Sequence, residues 1–280
     1  MKNLISHIAV WMLGAVMCIS CSTNVDFSVV TLPEIDGLIA DCDVERSGDE
    51  WRIEVSVRNE SDAPQTFKVR LAAEPRIKAD RYLIPGTNYD GNRFGDNVNI
   101  PQGWERDGEP WIFAYDRSSI PSCTISENED EVFALFVSDR DTMSYLSACS
   151  MEKLDDGSFR HIIYWPVTEA PLTYSDKLKF SERYDTYITL APGESFEAEA
   201  FACTGRPRYP HYGFAEVFPV AWRKINHHVP SQRTLAEVMR LDKAFQDWGR
   251  RQDDKGYWYD IRLDDQTFRI GYYPKSQGKS

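Results

Sequence analysis

Trp51-Arg52-Ile53-Glu54-Val55-Ser56-Val57-Arg58 alternates apolar and polar side chains at every step. Successive side chains of a strand point to opposite faces, so this stretch reads as a strand with one buried and one wet face. Outward from it, Asn59-Glu60-Ser61-Asp62-Ala63-Pro64 makes a turn, and Thr66 to Leu71 alternates again. Glu131 to Val137, Phe159 to Trp165 and Tyr184 to Leu190 read as further strands. Tyr187 to Leu190, Ala191-Pro192-Gly193-Glu194 and Ser195 to Phe201 read as a hairpin with Pro-Gly at its turn. Many short strands between frequent turns, with 13% aromatic residues to fill a core, imply a mainly β chain folded as an antiparallel β-sandwich.

The periodicity changes after Tyr212. Residues 213–228 predict a helix that Pro219 interrupts or kinks. A second helix is marked by a Thr234/Glu237 capping box, with Ser231 as an alternative cap and Arg250 and Arg251 near its end. Leu235, Val238, Leu241, Phe245 and Trp248 fall on one face of it. A stripe of that size needs a partner, either the sandwich or a further helical domain. Tyr257 to Leu263 and Thr267 to Gly271 then read as a hairpin, so the chain is mainly β with a C-terminal helical extension.

The chain opens with Lys2 in a short positive region and an apolar run from Leu4 to Ile19, too short for a stable membrane span. The run closes on Ser20-Cys21, a small residue before a cysteine, as a lipoprotein signal requires; an ordinary secretory signal cut near Ser22 is the alternative. The expected organisation is a signal peptide over residues 1–21 with lipidated Cys21, a tether over 22–27, a sandwich over 28–208 and a helical segment over 209–280. The expected location is the cell envelope, on the outer membrane through the lipid. A formal charge of −12 gives no phosphate-binding footprint and argues against nucleic acid as a partner.

Cys42, Cys123, Cys149 and Cys203 are widely spaced, with neither a Cys-x-x-Cys pair nor histidines at ligand spacing, so no metal or other cofactor is expected. In an oxidising compartment Cys123 could pair with Cys149, or all four could be free buried thiols. The nucleophile elbow, the phosphate-cradling glycine loop and the His-Glu-x-x-His signature are missing. His227 and His228 are adjacent and point apart on a helix.

The informative stretch is Tyr82 to Glu127, a long irregular segment of the kind that binds or covers something. It mixes rings with amides and charges, which suits sugars: aromatic faces stack on pyranose rings, and planar groups bond vicinal hydroxyls. Asn88, Tyr89, Asn92, Trp104, Trp111 and Arg117 are the candidate contacts with a polysaccharide or oligosaccharide. In the alternative, Trp104, Trp111 and Tyr115 are core, and the Asn, Asp and Gly residues make turns.

Tyr82-Leu83-Ile84-Pro85-Gly86-x-x-Tyr89-x-Gly91-Asn92, then Pro110-Trp111 and Asp116-Arg117-Ser118-x-x-Pro121, resembles the N-terminal β-sandwich of a group of exported Bacteroidetes proteins. Leu190 to Phe196 resembles it too. In that group a mutarotase-like supersandwich precedes an (α/α)6 toroid of the six-hairpin glycosidase type. The resemblance implies an accessory domain of a carbohydrate-active protein, with residues 231–263 entering the toroid and Phe245 and Trp248 facing a missing or partner helical domain. The catalytic carboxylates of such enzymes lie mostly in the toroid, so residues 1–280 are expected to be inactive alone. Asp116 and Glu127, which flank the distinctive segment, are the carboxylates the sandwich itself offers for acid–base work. A non-catalytic glycan-binding lipoprotein and a structural, partner-docking lipoprotein are the rival readings.

Overall fold

The computed structural model describes residues 17–18, 25–92, 100–138, 145–175, 179–225, 233–254, 256–261 and 270–271. Cys21, His227, His228 and the Trp248 side chain lie outside the described residues. The chain divides into two compact units, 1–227 and 228–280.

The first unit is an antiparallel sandwich. One sheet runs in the order β1 (Met17–Cys18), β2 (Val25–Leu32), β5 (Gln65–Pro75), β14 (Phe159–Trp165), β13 (Ala148–Lys153), β10 (Ile112–Ala114), β15 (Thr168–Ser175), β16 (Lys179–Asp185). A ninth strand, β17 (Ile188–Leu190), pairs the start of β5. The second sheet runs β3 (Leu38–Ser47), β4 (Glu50–Asn59), β18 (Ser195–Gly205), β12 (Val132–Val137), β11 (Thr124–Glu127), β6 (Arg81–Ile84), β7 (Asn88–Tyr89). A small hairpin, β8 (Glu105–Arg106) with β9 (Glu109–Pro110), lies in the long segment between β7 and β10.

The alternation of β4 is met residue by residue: Trp51, Ile53, Val55 and Val57 are buried, and Arg52, Glu54, Ser56 and Arg58 are exposed. Phe27 and Val29 of β2, Val69 and Leu71 of β5, and Ile163 and Trp165 of β14 meet them from the other sheet. Burying such side chains stabilises by roughly 1.5–3 kcal/mol each, which makes this intersheet layer the main source of stability.

The Pro-Gly turn forms, with Glu194 N–H donating to Ala191 O at 3.1 Å, but it does not close a hairpin. Ile188–Leu190 pairs β5 in one sheet, whereas Ser195–Gly205 pairs β4 and β12 in the other. The turn therefore carries the chain from sheet to sheet, as Asn59–Gln65 does between β4 and β5. Alternation fixes which face a strand buries; it does not name the strand beside it. Asn59, fully buried, clamps the two crossings together. Its Nδ2 donates to Ala63 O and to Leu190 O, both at 2.9 Å, and its Oδ1 accepts from Ser61.

Helix α1 (Phe214–Ile225) runs through Pro219 and seats Val217 and Ala221 against Ile125, Phe136 and Phe201 on the outer side of the second sheet. Arg223 and Lys224 at its end bond Glu50 of β4 at 2.7 and 3.1 Å. In the second unit, α2 (Leu235–Gly249) starts at the Thr234/Glu237 capping box. It is followed by a three-stranded sheet of β19 (Arg250–Asp253), β20 (Gly256–Ile261) and β21 (Ile270–Gly271). Leu235, Val238, Leu241 and Phe245 are exposed on α2.

Cys42, Cys123, Cys149 and Cys203 are buried, and Cys123, Cys149 and Cys203 are free thiols. Burial pushes the thiols of Cys123 and Cys149 well up and that of Cys203 up to about 12, so these three are unreactive near neutrality.

Candidate functional site

The loop that sequence marks for sugar contact is built largely around itself. Asn88 is buried; its Nδ2 donates to Gly103 O at 2.8 Å and its Oδ1 accepts from Gly91 N–H at 2.9 Å. Asn92 donates to Thr87 O and Pro101 O and accepts from Tyr89 N–H. The Tyr89 ring is exposed, but its hydroxyl accepts from Gly86 N–H at 2.8 Å. Trp111 is buried, stacked between Phe113 and Phe180, with its indole N–H donating to Gln102 O at 3.1 Å. Trp104 packs edge-on to Tyr82 and Phe159 beneath Lys153. A cavity of about 200 Å³ remains here, lined by Ile100, Gln102, Glu105, Arg106 and Trp111. Arg117 makes a two-pronged bond to Glu169 at 2.7 and 3.3 Å.

The two carboxylates stand in different settings. Asp116 is exposed on the 3-10 turn Tyr115–Arg117. Glu127 is buried at the end of β11, where its Oε2 accepts the Gly213 N–H at 2.6 Å. That amide opens α1, so the carboxylate sits at the positive end of the helix. Gly213 is required there: a Cβ would lie 2.6 Å from both Glu127 Oε2 and Val132 Cβ. Burial still outweighs the bond and holds the Glu127 carboxyl above its ordinary range. It thereby caps the first turn of α1.

A different constellation stands on the outward face of the nine-stranded sheet. Val69, Leu71 and Ala73 of β5 point into the core, so Lys68, Arg70, Ala72 and Glu74 point away from it. Register places Arg70 beside Tyr164, Ala72 beside Ile162 and Glu74 beside Arg160; β13 continues the rows with Ala148, Ser150 and Glu152. Arg160 donates to Glu74 at 2.6 Å and to Glu152 at 2.8 Å. Arg70 reaches Glu152 at 3.3 Å across the intervening row of Ala72, Ile162 and Ser150. Further along, Lys68 bonds Thr168 at 2.9 Å and also Asp185, and stands 4.9 Å over the Tyr187 ring. Arg183 bonds Asp185 at 2.6 Å and Glu109 at 3.3 Å.

Four cations thus face four carboxylates, and the network is electroneutral in a chain of charge −12. Burial would lower the pKa of Arg160, but Glu74 and Glu152 outweigh it and hold it above the usual value. Burial would likewise raise Asp185, yet Arg183 and Lys68 keep it low. Tyr164 is pushed up by burial, so its phenol stays protonated. Two polar atoms on this face, Arg70 Nε and Ser150 Oγ, are buried without a hydrogen-bond partner among the described residues. Such atoms are uncommon in a finished interior, and each has an unused capacity for a hydrogen bond. Tyr184 and Tyr187, each about half exposed, flank the Asp185 end.

No single segment carries this face. Its residues come from β5, β9, β13, β14, β15 and β16, where each looks like an ordinary outward polar position.

Neither a family model nor a curated protein matches the sequence. Among solved structures, a candidate aldose 1-epimerase of Escherichia coli K12 overlaps 68% of this chain and 68% of its own, at 15% identity and a TM-score of 0.35. A galactose mutarotase-like protein of Lactobacillus casei overlaps 68% and 72%, at 11% identity and a TM-score of 0.34. The galactosidase domain of an alpha-galactosidase-sucrose kinase overlaps 61% of this chain and 24% of its own, at 12% identity and a TM-score of 0.23. These overlaps are loose. The antiparallel sandwich rests on the strand pairing of this chain itself.

Proposed function

We propose that this protein binds carbohydrate, with the outward face of the nine-stranded sheet as its binding surface. The observation that carries the reading is the electroneutral network with unpartnered Arg70 Nε and Ser150 Oγ inside it. Sugar hydroxyls donate and accept at once, so they can enter a set of arginine–carboxylate pairs without adding charge. Tyr184 and Tyr187 offer exposed rings for the apolar face of a pyranose. A charged ligand would unbalance the same network.

In the finer reading, the protein is held in the cell envelope through lipidated Cys21 and serves as the accessory sandwich of a glycan-cleaving helical domain. The Ser20-Cys21 signal and the Tyr82-to-Pro121 pattern support it, as does the exposed Leu235, Val238, Leu241 and Phe245 stripe of α2. Labelled palmitate should enter the wild type and not Cys21→Ala; equal labelling of both would remove the anchor.

Calorimetric titration with a panel of neutral oligosaccharides tests the binding surface. At least one should bind, and Glu152→Gln and Tyr187→Ala should each weaken it about tenfold, equivalent to about 1.4 kcal/mol. Undiminished affinity in both variants would sink the sheet face as the site. Release of reducing ends in the same mixtures would add cleavage to binding.

A further inference from the structure

At one end of the sandwich lies a cavity of about 600 Å³. Its volume is within the range of small-molecule sites, roughly 300–1,000 Å³. Val25, Trp51, Pro75 and Ile77 line it and are buried, which makes an apolar floor. Arg46, Asp49, Asp130, Glu131 and Arg206 line it and are exposed, which makes a charged rim. Arg46 stands near the end of β3, and the other rim side chains come from the turns after β3, β11 and β18, all at the same end of the sandwich.

Three observations set the chemistry of this cavity. Trp51 is only 3% exposed, yet its indole N–H has no hydrogen-bond partner among the described residues. The Arg46 guanidinium lies 4.9 Å over the Trp51 ring and is anchored by an Nε bond to Gly48 O at 2.8 Å. Arg206 is matched by Asp130 at 3.6 Å, whereas Asp49 and Glu131 make no ion pair among the described residues. The cavity thus holds an apolar aromatic floor, a spare donor and two spare carboxylates.

We propose that this cavity is a second carbohydrate subsite, receiving a single pyranose unit. The apolar face of the ring would lie on the Trp51–Ile77 floor, and vicinal hydroxyls would donate to Asp49 and Glu131. The Trp51 N–H, at the edge of the indole, would donate to a sugar oxygen while Arg46 keeps its place over the ring. An organic cation is the other ligand that an aromatic ring with carboxylates suits, but Arg46 already holds the cationic position over that ring and would repel it. The choice of ligand class rests on the carbohydrate reading of the sheet face; the cavity itself does not.

The test is calorimetry and tryptophan fluorescence on the purified protein with methyl α-glucoside, methyl α-galactoside, methyl α-mannoside and choline as probes. At least one glycoside should bind, with affinity falling about tenfold in Trp51→Phe and in the rim double variant Asp49→Asn/Glu131→Gln. The rim variant covers the case in which Trp51→Phe unfolds, because its side chains are exposed. Tyr187→Ala should leave this binding event intact. Glycoside binding lost in Tyr187→Ala but untouched by the cavity variants would overturn the cavity and leave the sheet face standing. Loss in the cavity variants with full oligosaccharide binding in Tyr187→Ala would overturn the sheet face instead. Choline binding that depends on Glu131 and exceeds every glycoside would make the cavity a cation site and overturn the proposal, as would no glycoside binding at all.

Discussion

The segment from Asn88 to Arg117 and the outward face of the nine-stranded sheet contain the same kinds of side chain, used in opposite ways. In the segment, amides bond the backbone beside them: Asn88 holds Gly91 and Gly103, and Asn92 holds Thr87 and Pro101. On the sheet, charged groups bond one another across strands, and Arg70 Nε and Ser150 Oγ are left over. Residue type announces a capacity for recognition. Only the count of partners says whether that capacity is still open to a ligand.

The largest way to break this contrast is Trp111→Ala. If Trp111 is core, truncation leaves a void between Phe113 and Phe180 and costs about 3–5 kcal/mol in denaturant unfolding. A folded, equally stable Trp111→Ala that no longer binds glycan would return the loop to the role of binding site.

The next effect separates the sheet face from the layer beneath it. His161, on the inward side of β14, is fully buried between Ser126 Oγ at 2.8 Å and Thr124 Oγ1 at 2.9 Å. Burial lowers its pKa to about 3. The unfolded chain therefore takes up the proton first, and stability present above pH 6.5 is lost as the pH falls towards 3. At about 1.4 kcal/mol per pH unit the loss reaches about 3 kcal/mol at pH 4.5. Glu127, held high by burial, acts in the opposite sense and trims the loss. The sheet-face pair of Asp185 has a depressed pKa and gives way only at still lower pH. Chemical unfolding at a series of pH values should show the slope in wild type and lose it in His161→Gln; an unchanged slope would place the acid sensitivity elsewhere.

Asn88→Ala comes third, at about 2–3 kcal/mol, because it strands a buried N–H and a half-buried carbonyl. Its glycan affinity should match wild type wherever the remaining protein is folded. Tyr187→Ala is the smallest in stability, within about 0.5 kcal/mol, while carrying the tenfold loss of oligosaccharide affinity. The two variants together should therefore separate stability from binding, and the reverse pattern would exchange the roles assigned to loop and sheet.

Much of the scaffold was legible. The step-by-step alternation of Trp51 to Arg58 gave β4 its faces, Phe159 to Trp165 matched β14, and the Thr234/Glu237 pair marked where α2 begins. Partnership was not legible, because Ile188–Leu190 and Ser195–Gly205 each bury one side and that property holds whichever sheet they join. The candidate face was hidden for a related reason. Lys68, Arg70, Glu152, Arg160 and Asp185 are scattered over nearly 120 positions, and only the order β5–β14–β13 and the placement of β15 and β16 bring them together. One cue was present: β5 interleaves Lys68, Arg70 and Glu74 with core residues, an unusual density of charge for a central strand.

Asn59 gives the sandwich a single chemical seam. One carboxamide donates to Ala63 O in the first crossing and to Leu190 O in the second. Spontaneous hydrolysis of that amide to a carboxylate would leave the shape nearly unchanged while setting an anion against two carbonyl oxygens. Both passages between the sheets would loosen together, so the ageing of one side chain would act on the whole sandwich at once.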